Sequence, residues 1–362
     1  MGDRSGLPEP RARRRRGGLT PERWREIKDA LARFLDADPP LRSVLLAEWR
    51  LRDPQLAEEV ADLADSDEKT GARLETAPSF RSPLASGTEL FGFEIHGSLG
   101  SGGMAEIYEA RDRITSERVA LKVFSGAVWN RARRRRFERE ARAIGALDHP
   151  NVLRMISFHA DEVGGAVATE LLSGEDLRAR LNRLPPGPDE TLGLARAIAA
   201  GLAAAHDAGV VHRDLKPENV FVTGEGAVKL LDFGLAKILG ESSPGGGEDQ
   251  SATSRPGEVM GTAAYMSPEQ VRTEPVTPAS DVFAFGSLLH ELVSGRPPFL
   301  RDSRIDTMFA VVNEQAETLS EPTPVFAPIV SRCLRKEPGE RFASGRELLR
   351  ALDGEIRPDR PD

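Results

Sequence analysis

The sequence predicts an α+β protein in which a small β-rich lobe precedes a larger helical lobe. Short strand-like runs with apolar alternation and intervening turn residues extend from Phe91 to about Phe124. Helical patterns dominate from Arg131 onward, interrupted only by brief strand signals at 165–171 and 220–231. A strand-rich part followed by a helix-rich part indicates two packed lobes with a cleft between them.

Composition narrows the function classes. The chain has 362 residues and a net charge of −8, which argues against a cationic nucleic-acid binder. Its single cysteine, Cys333, excludes an internal disulfide and a cysteine-based zinc site, and suits a reducing compartment. The most apolar stretch, 192–211, carries Arg196 and Asp207, so it indicates a buried helix rather than a membrane span. We therefore expect a cytoplasmic protein.

Changes in composition and apolar periodicity along the chain predict five segments. These are a disordered basic tail at 1–18, a helical module at 19–70, a linker at 71–90, the two-lobed domain at 91–354 and a tail at 355–362. In the helical module, Trp24, Ile27, Leu31 and Phe34 recur at helical spacing, and a second helix is expected around Val44–Trp49. A third helix should begin where Asp53 caps and Pro54 opens it.

Two short motifs in the β-rich part suggest chemistry, although each alone is weak. The run "LGSGGMAEIYEA" places Gly100, Gly102 and Gly103 between strand-like segments, where glycines allow backbone amides to approach a phosphate. A glycine-rich hairpin is more often a plain turn. In "VALKVF", Lys122 lies between apolar residues and needs a counter-charge if it is buried, but an edge-strand lysine that reaches solvent would look the same.

A denser constellation follows in the helical part. The run "VHRDLKPENV" holds six polar or charged side chains within ten residues between flanking valines, with Pro217 forcing an irregular backbone. Asp232 of "LLDFGLAK" follows eighteen residues after Asp214. An isolated D-F-G tripeptide is common by chance, but this spacing after the preceding motif is not.

Taken in order, G-x-G, V-A-L-K, H-R-D-L-K-P-E-N, D-F-G and S-P-E resemble the protein kinase family over about Phe91–Leu352. The catalytic-loop motif is similar to that of serine/threonine kinases. "GSGGMAEIYEARD" and "GTAAYMSPEQ" are similar to bacterial eukaryotic-like (Hanks-type) kinases. The helical module resembles, more loosely, the segment that precedes some bacterial kinase domains. The resemblance implies a bilobal kinase fold preceded by a small α-helical bundle.

The resemblance also implies an ATP site. Backbone amides of the glycine-rich loop would cover the phosphates, Leu99, Ile107 and Ala120 would enclose the adenine, and Thr169 would guard the pocket behind it. The implied ATP-binding residues are Leu99, Gly100, Ser101, Gly102, Gly103, Met104, Ala105, Glu106, Ile107, Ala120, Lys122, Glu170 and Leu172. Ala105 replaces the third glycine of the family pattern, which should stiffen the loop slightly.

The catalytic roles follow from the same resemblance. Lys122 would bind the α- and β-phosphates and pair with Glu140, whereas Glu138 is expected to face solvent. Asp214 would accept or orient the proton of the substrate hydroxyl. Lys216 would stabilise charge on the phosphoryl group in transfer.

Other implied roles concern metal and structure. Asn219 and Asp232 would hold Mg²⁺, or Mn²⁺, through hard oxygen ligands. Arg213 beside the catalytic aspartate is typical of kinases that are controlled by activation-loop phosphorylation, and Thr262 would contact the catalytic loop. The expected structural residues are the ion pair Glu269 and Arg341 and the catalytic-loop anchor Asp281.

The predicted activity is ATP-dependent phosphorylation of Ser/Thr hydroxyls of protein substrates in bacterial signal transduction. Autophosphorylation is expected within Ser251–Thr262, most of all at Ser251, Thr253 or Ser254, and self-association would allow it to occur in trans. Two alternatives compete: a pseudokinase or scaffold, and an interaction or nucleic-acid-binding module that acts through the N-terminal part. Pseudokinases usually lose the lysine or one of the aspartates, and this chain retains all three.

The hexapeptide RARRRR occurs twice, at Arg11–Arg16 and at Arg131–Arg136. The first copy lies in a segment that cannot pack and reads as a solvated tail. The second begins a helix in which seven arginines against Glu138 and Glu140 give residues 131–142 a net charge of +5. Cations oppose the dipole at a helix N-terminus. We therefore expect Arg133–Arg136 to sense a phosphate on the chain's own activation loop.

Overall fold

The computed structural model describes residues 26, 30, 33–34, 39–57, 60, 84–102, 105–125, 131–161, 164–233, 262–317, 319 and 326–355. The chain divides into two compact units, 1–65 and 66–362. Predictions for the tail at 1–18, for Gly103 and Met104 and for Ser251, Thr253 and Ser254 lie outside the described residues.

The N-terminal unit contains helix α1 (Pro39–Arg52), which includes the second predicted helix. Its inward face buries Leu45 and Trp49. The next helical turn begins as predicted, because the Asp53 carboxylate accepts a hydrogen bond from the Leu56 amide at 3.0 Å. Of the first predicted helix, Phe34 is described and buried, whereas Trp24, Ile27 and Leu31 lie outside the described residues.

The second unit opens with an antiparallel six-stranded sheet in the order β1-β2-β3-β4-β6-β5. Its strands are β1 (Glu89–Leu90), β2 (Phe93–Gly102), β3 (Ala105–Asp112), β4 (Arg118–Ser125), β5 (Met155–Ala160) and β6 (Gly164–Glu170). Helix α2 (Arg131–Gly145) buries Phe137 against Phe124 and Phe158, with ring centroids 5.6 and 6.4 Å apart. This sheet and its helix form the predicted small lobe.

The larger lobe is mainly helical. Its helices are α3 (Leu177–Arg183), α4 (Pro188–Asp207), α5 (Pro268–Val271), α6 (Pro278–Ser294), α7 (Arg304–Asn313), α8 (Phe326–Cys333) and α9 (Gly345–Leu352). Helix α6 is buried on nearly all sides and forms the centre of this lobe. The predicted bilobal α+β architecture is confirmed.

A second, three-stranded sheet lies in the helical lobe and supports the predicted catalytic segments. It consists of β7 (Gly174–Asp176), β8 (Val220–Thr223) and β9 (Val228–Leu230). Strand β8 pairs antiparallel with β9, with Val220 opposite Leu230. Because of this register, the residues just before β8 and just after β9 lie at the same end of the hairpin. No helix in the described part of the chain is both long and apolar enough to cross a membrane.

Candidate active site

A cavity of about 220 Å³ lies where the six-stranded sheet meets the helical lobe. Its walls are mostly apolar, and Lys122 and Asp232 contribute opposite charges. Predicted nucleotide-contacting residues in its lining are Leu99, Ile107, Ala120, Lys122, Thr169, Glu170 and Leu172. The remaining lining residues are Ile144, Leu153, Met155, Val167, Leu171, Phe221, Leu231, Asp232 and Phe233.

The glycine-rich segment forms the predicted hairpin arm beside this cavity. Gly100, Ser101 and Gly102 belong to β2 and lie opposite Ile107, Glu106 and Ala105 of β3, respectively. Side chains alternate along a strand, so the cavity-lining Ile107 and its neighbour Glu106 face opposite sides of the sheet. The Glu106 carboxylate accepts a hydrogen bond from the Tyr108 hydroxyl, and burial raises the pKa of Glu106. Glu106 can therefore reach a nucleotide through its backbone only.

Lys122 has a different partner from the predicted one. Its Nζ lies 2.6 Å from Asp232 Oδ1, across the cleft between the lobes. The Glu140 carboxylate contacts Arg139 instead, with Nη2 and Oε1 3.0 Å apart. The predicted Lys122–Glu140 pair is therefore wrong for this structure. The basic helix supplies its own cation to Glu140, and Asp232 satisfies the lysine.

Glu138 also departs from expectation. Its side chain is 25% exposed rather than fully solvated, and it lies between two arginines one helical turn away on either side. Arg134 Nε is 2.9 Å and Arg142 Nη2 is 3.8 Å from its carboxylate oxygens. The i,i+4 spacing on a helix favours such pairs.

The catalytic loop brings together the three residues predicted to act there. Asn219 Nδ2 donates to Asp214 Oδ2 at 2.9 Å and to the Asp214 carbonyl at 2.7 Å. Lys216 Nζ is 3.5 Å from Asp214 Oδ2 and donates to Thr262 Oγ1 at 3.3 Å. The predicted contact of Thr262 with the loop is thus confirmed, and the Asp214 carboxylate faces an amide donor and an ammonium group.

The β8–β9 hairpin brings Asn219 close to Asp232. Asn219 directly precedes β8, and Asp232 lies two residues after β9. The Leu231 amide donates to the Asn219 carbonyl at 2.9 Å, which ties the two segments together. Asn219 directs Nδ2 to Asp214, so its Oδ1 is the atom suited to a metal ion. One amide oxygen and one carboxylate match the ligand chemistry of a hard divalent cation.

Asp281 anchors the catalytic loop, as predicted. Buried at the start of α6, it accepts backbone hydrogen bonds from His212 at 2.7 Å and Arg213 at 2.8 Å. His206 Nε2 lies 2.9 Å from the same carboxylate, and its Nδ1 accepts from the Gly345 amide at 3.0 Å. These bonds link the first residue of α9 to the catalytic loop. Sequence reasoning missed His206, which lies in an alanine-rich helix without any motif.

Backbone strain marks both catalytic segments. Arg213 and Asp232 have φ angles of +67° and +50°, which are uncommon for residues other than glycine. Such conformations persist where the surroundings hold them, and they concentrate at functional sites. The Arg213 carbonyl accepts a hydrogen bond from Gln270 Nε2 at 2.8 Å. The Phe233 ring is buried 4.6 Å from the ring of His212.

The buried ion pair of the large lobe is confirmed. Arg341 donates to both carboxylate oxygens of Glu269, at 2.8 and 2.9 Å. The guanidinium also donates to the carbonyls of Ala279, Arg335 and Lys336. Ser280 Oγ donates to Glu269 at 2.6 Å. This pair stabilises the lobe beneath the site and does not reach the cavity.

A family model described as the protein kinase domain matches residues 93–351. The chain belongs to the protein kinase family. It is 36% identical over 266 residues to a probable serine/threonine-protein kinase of Streptomyces coelicolor, and the matched region covers 71% of this chain and 38% of that protein. With PknL of Mycobacterium tuberculosis the identity is 34% over 269 residues, covering 73% of this chain and 65% of the relative.

Other comparisons agree. Serine/threonine-protein kinase pkn2 of Myxococcus xanthus is 36% identical over 275 residues, covering 72% of this chain and 32% of that protein. The solved kinase domain of PknI from Mycobacterium tuberculosis matches with a TM-score of 0.58 at 27% identity, covering 76% of this chain and 100% of that chain. The chain thus spans less than two thirds of the length of the Streptomyces relative, of PknL and of pkn2.

Several cavity residues of this protein kinase were not predicted. Phe221 and Leu231 directly neighbour motif residues, and strand alternation after Asn219 could have indicated Phe221. Met155 and Leu153 carry no motif, and only the three-dimensional arrangement identifies them. The apolar walls suit a flat aromatic ring, and Lys122 and Asp232 add a cation and a carboxylate to the lining.

Proposed function

We propose that this chain is a serine/threonine protein kinase that transfers the γ-phosphoryl group of ATP to Ser and Thr hydroxyls of proteins. The observation that carries the proposal is the arrangement around Asp214. Its carboxylate is oriented by Asn219 and faces Lys216, in a loop anchored to Asp281, next to a cavity bordered by Lys122 and Asp232.

The proposed reaction uses these side chains in turn. The substrate hydroxyl gives its proton to the Asp214 carboxylate, and the hydroxyl oxygen forms a bond to the γ-phosphorus. The bond from that phosphorus to the departing ADP oxygen breaks in the same displacement. Lys216 stabilises the negative charge on the phosphoryl group in transit, and Lys122 positions the remaining phosphates.

Gly100 supports a phosphate-binding role for the glycine-rich arm. Its φ lies outside the left-handed region, and a Cβ added there would meet no atom of the described residues within 4 Å. Neither backbone conformation nor internal packing therefore requires glycine at this position. A ligand that approaches the backbone closely does provide a reason.

We propose Mg²⁺, or Mn²⁺ in its place, as the metal held by Asn219 and Asp232. When bound, the cation neutralises phosphate charge. Asn219 and Asp232 are the two ligands that we propose among the described residues, and a pair of ligands suits an ion whose coordination is completed by phosphate oxygens and water. Asp232 contacts Lys122 through Oδ1, and a carboxylate has a second oxygen that can bind a metal ion.

Further parts of the proposal rest on the sequence. Protein substrates, autophosphorylation at Ser251, Thr253 or Ser254, self-association in trans and a cytoplasmic location all remain predictions. The pseudokinase alternative has no support, because Lys122, Asp214 and Asp232 are all present in the sequence and Lys122 contacts Asp232.

The test is phosphate transfer from radiolabelled ATP by the purified chain, with Mg²⁺ or Mn²⁺, to itself and to a general protein substrate. Asp214→Asn should reduce transfer by about 10²–10⁴-fold, the usual contribution of a catalytic acid–base group. Asp207→Asn is the matched control, since the ion pair of this aspartate with Arg346 is at the surface and Asp207 does not line the cavity. Equal transfer by Asp214→Asn and wild type would contradict the proposal.

A further inference from the structure

An arginine beside the catalytic loop binds three acidic or hydroxyl groups from separate segments. Arg178 of α3 contacts Glu218 Oε1 through Nε at 2.9 Å and Glu291 Oε1 through Nη1 at 2.6 Å. Its Nη2 donates to the Tyr265 hydroxyl at 2.6 Å. Tyr265 in turn donates to Glu291. We call these four residues the Arg178 cluster.

The Arg178 cluster lies next to the place where a substrate must bind. Glu218 is four residues after Asp214 and immediately precedes Asn219, which contacts the Asp214 carboxylate. Tyr265 is three residues after Thr262, which contacts Lys216. An extended peptide advances ~3.3–3.6 Å per residue, so residues a few positions from the phosphorylated Ser or Thr can reach this neighbourhood.

The charges of the cluster depend on Arg178. Burial alone would lower the pKa of Arg178, but hydrogen bonds to Glu291 and Glu218 raise it above its ordinary value. Burial and the neighbouring Glu291 carboxylate raise the pKa of Tyr265, so this hydroxyl stays neutral. The guanidinium is therefore the one cation of the four, and it serves two carboxylates.

The two carboxylates differ in accessibility. The Glu291 side chain is 6% exposed, whereas Glu218 is 44% exposed and borders the cleft surface. Without Arg178, a buried and an accessible carboxylate would face the same space. A buried charge that lacks a partner strongly favours binding of a counter-ion. An arginine of a substrate presents the same fork of donors that Arg178 now provides.

We propose that Arg178 is a specificity-determining residue whose guanidinium occupies, from within the chain, the position where Glu218 and Glu291 would otherwise bind a basic substrate side chain. The inference rests on the proposed kinase function. The wild-type chain consequently does not select basic residues near the acceptor. This differs from the simplest interpretation of Glu218, whose negative charge on its own would favour basic residues upstream of the acceptor.

The experiment uses the full chain and paired peptides that carry Arg or Ala at each position flanking the acceptor. The ratio of kcat/KM for the Arg peptide to that for the Ala peptide should stay near one for wild type. In Arg178→Ala it should rise at least roughly tenfold at one or two positions, mainly through KM. A ratio within one preparation is independent of the fraction of active enzyme.

Arg180→Ala is the matched control. Arg180 lies on the same helix and contacts Glu190 and Glu175 instead of the cluster, so its removal should leave the ratio unchanged. Adding Glu218→Gln to Arg178→Ala should reverse most of the gain. If Arg178→Ala does not fold, Glu218→Gln alone tests the idea through its accessible side chain. It should shift preference toward Glu over Ala at the same positions, because Arg178 then lacks one carboxylate.

Three outcomes would overturn the inference. They are a wild type that already prefers Arg tenfold, an Arg178→Ala ratio equal to that of wild type, and no shift in Glu218→Gln. In each case the kinase assignment would stand, because wild type transfers phosphate. Absence of transfer by wild type to peptides, proteins and itself would instead contradict the proposed function.

Discussion

Two ion pairs of nearly equal length behave differently in this kinase. The Glu269–Arg341 pair of the large lobe has an N–O distance of 2.8 Å and side chains that are 3% and 0% exposed. The Lys122–Asp232 pair at the cleft has a distance of 2.6 Å, but its side chains are 19% and 41% exposed. Arg341 also donates hydrogen bonds to three carbonyl groups. Lys122 and Asp232, in contrast, have the proposed roles of binding phosphate and a metal ion, which require other partners.

The difference shows how the chain separates stability from function. Breaking a fully buried ion pair leaves an uncompensated buried charge and costs ~3–5 kcal/mol of stability. This cost keeps the two partners in a single arrangement. Exposed pairs are worth ~0–1 kcal/mol, so they can exchange partners readily. In this structure Glu140 contacts Arg139, whereas Lys122 contacts Asp232. To form a Lys122–Glu140 pair, each of these two residues would only have to exchange one exposed partner for another.

The largest expected effect is on the buried pair. Arg341→Met should lower the free energy of unfolding by about 3–5 kcal/mol, because Glu269 then loses its counter-ion in a dry site. Urea unfolding followed by circular dichroism measures this loss. Arg346→Met is the control, since its pair with Asp207 is at the surface and should contribute less than about 1 kcal/mol. Equal losses in both variants would remove the contrast between the two kinds of pair.

The cleft pair should show the opposite pattern. Lys122→Met should reduce phosphate transfer by at least about 10²-fold, a typical loss for one electrostatic contact to a reacting group. Its unfolding free energy should change by less than about 1 kcal/mol. Arg118→Met is the control on the same strand β4, because Arg118 pairs with Glu109 at 2.6 Å and neither residue lines the cavity. Retention of full activity by Lys122→Met would contradict the role of this lysine.

The second RARRRR copy gives a regulatory prediction. Arg135→Gln with Arg136→Gln should lower activation by phosphorylation roughly tenfold, if phosphate on the activation loop forms one or two charge-assisted hydrogen bonds with this helix. Activity is compared before and after phosphatase treatment. Arg15→Gln with Arg16→Gln alters the same positions of the first copy and should have no effect. Full activation in both variants would assign the second copy to a solvated surface.

The exchange of partners at Glu140 can be tested more finely. Arg139→Gln removes the cation that now contacts Glu140 and should raise the activity of unphosphorylated enzyme by up to about fivefold, the equivalent of an exposed pair of ~1 kcal/mol. Arg142→Gln is the control on the same helix, since Arg142 pairs with Glu138. A loss of activity in Arg139→Gln would show that Arg139 does not compete with Lys122.

The smallest effect concerns pH. Burial alone would raise the pKa of Glu269, but hydrogen bonds from Arg341 and Ser280 lower it below its ordinary value of 4.5. A lowered folded-state pKa contributes stability that is present above about pH 4.5 and is lost as pH falls further. The melting temperature of wild type should therefore fall more steeply below pH 4.5 than that of Arg341→Met with Glu269→Gln. Parallel curves would contradict this linkage.

Motif order predicted the bilobal fold and about half of the residues that line the cavity. It identified Asp214, Asn219 and Asp232 from their motifs, and the structure adds the β8–β9 hairpin that brings the segments of Asn219 and Asp232 together. The ion-pair partner of Glu140 could not be predicted, because α2 contains many arginines and no sequence pattern shows which of them contacts this carboxylate. The Arg178 cluster joins four segments that are distant in the sequence and share no motif, so only the packing reveals it.

The hydrogen bonds from Gly345 to His206 and from His206 to Asp281 connect helix α9 to the loop that carries Asp214. A methyl group at residue 345 would lie 2.5 Å from the Ala203 amide nitrogen and 2.7 Å from the Leu202 carbonyl carbon, so only glycine allows α9 to sit this close to α4. The hydrogen bond to His206 depends on that closeness. A change of one hydrogen atom to a methyl group, 131 residues downstream of Asp214, would thus loosen the support beneath the loop that carries Asp214.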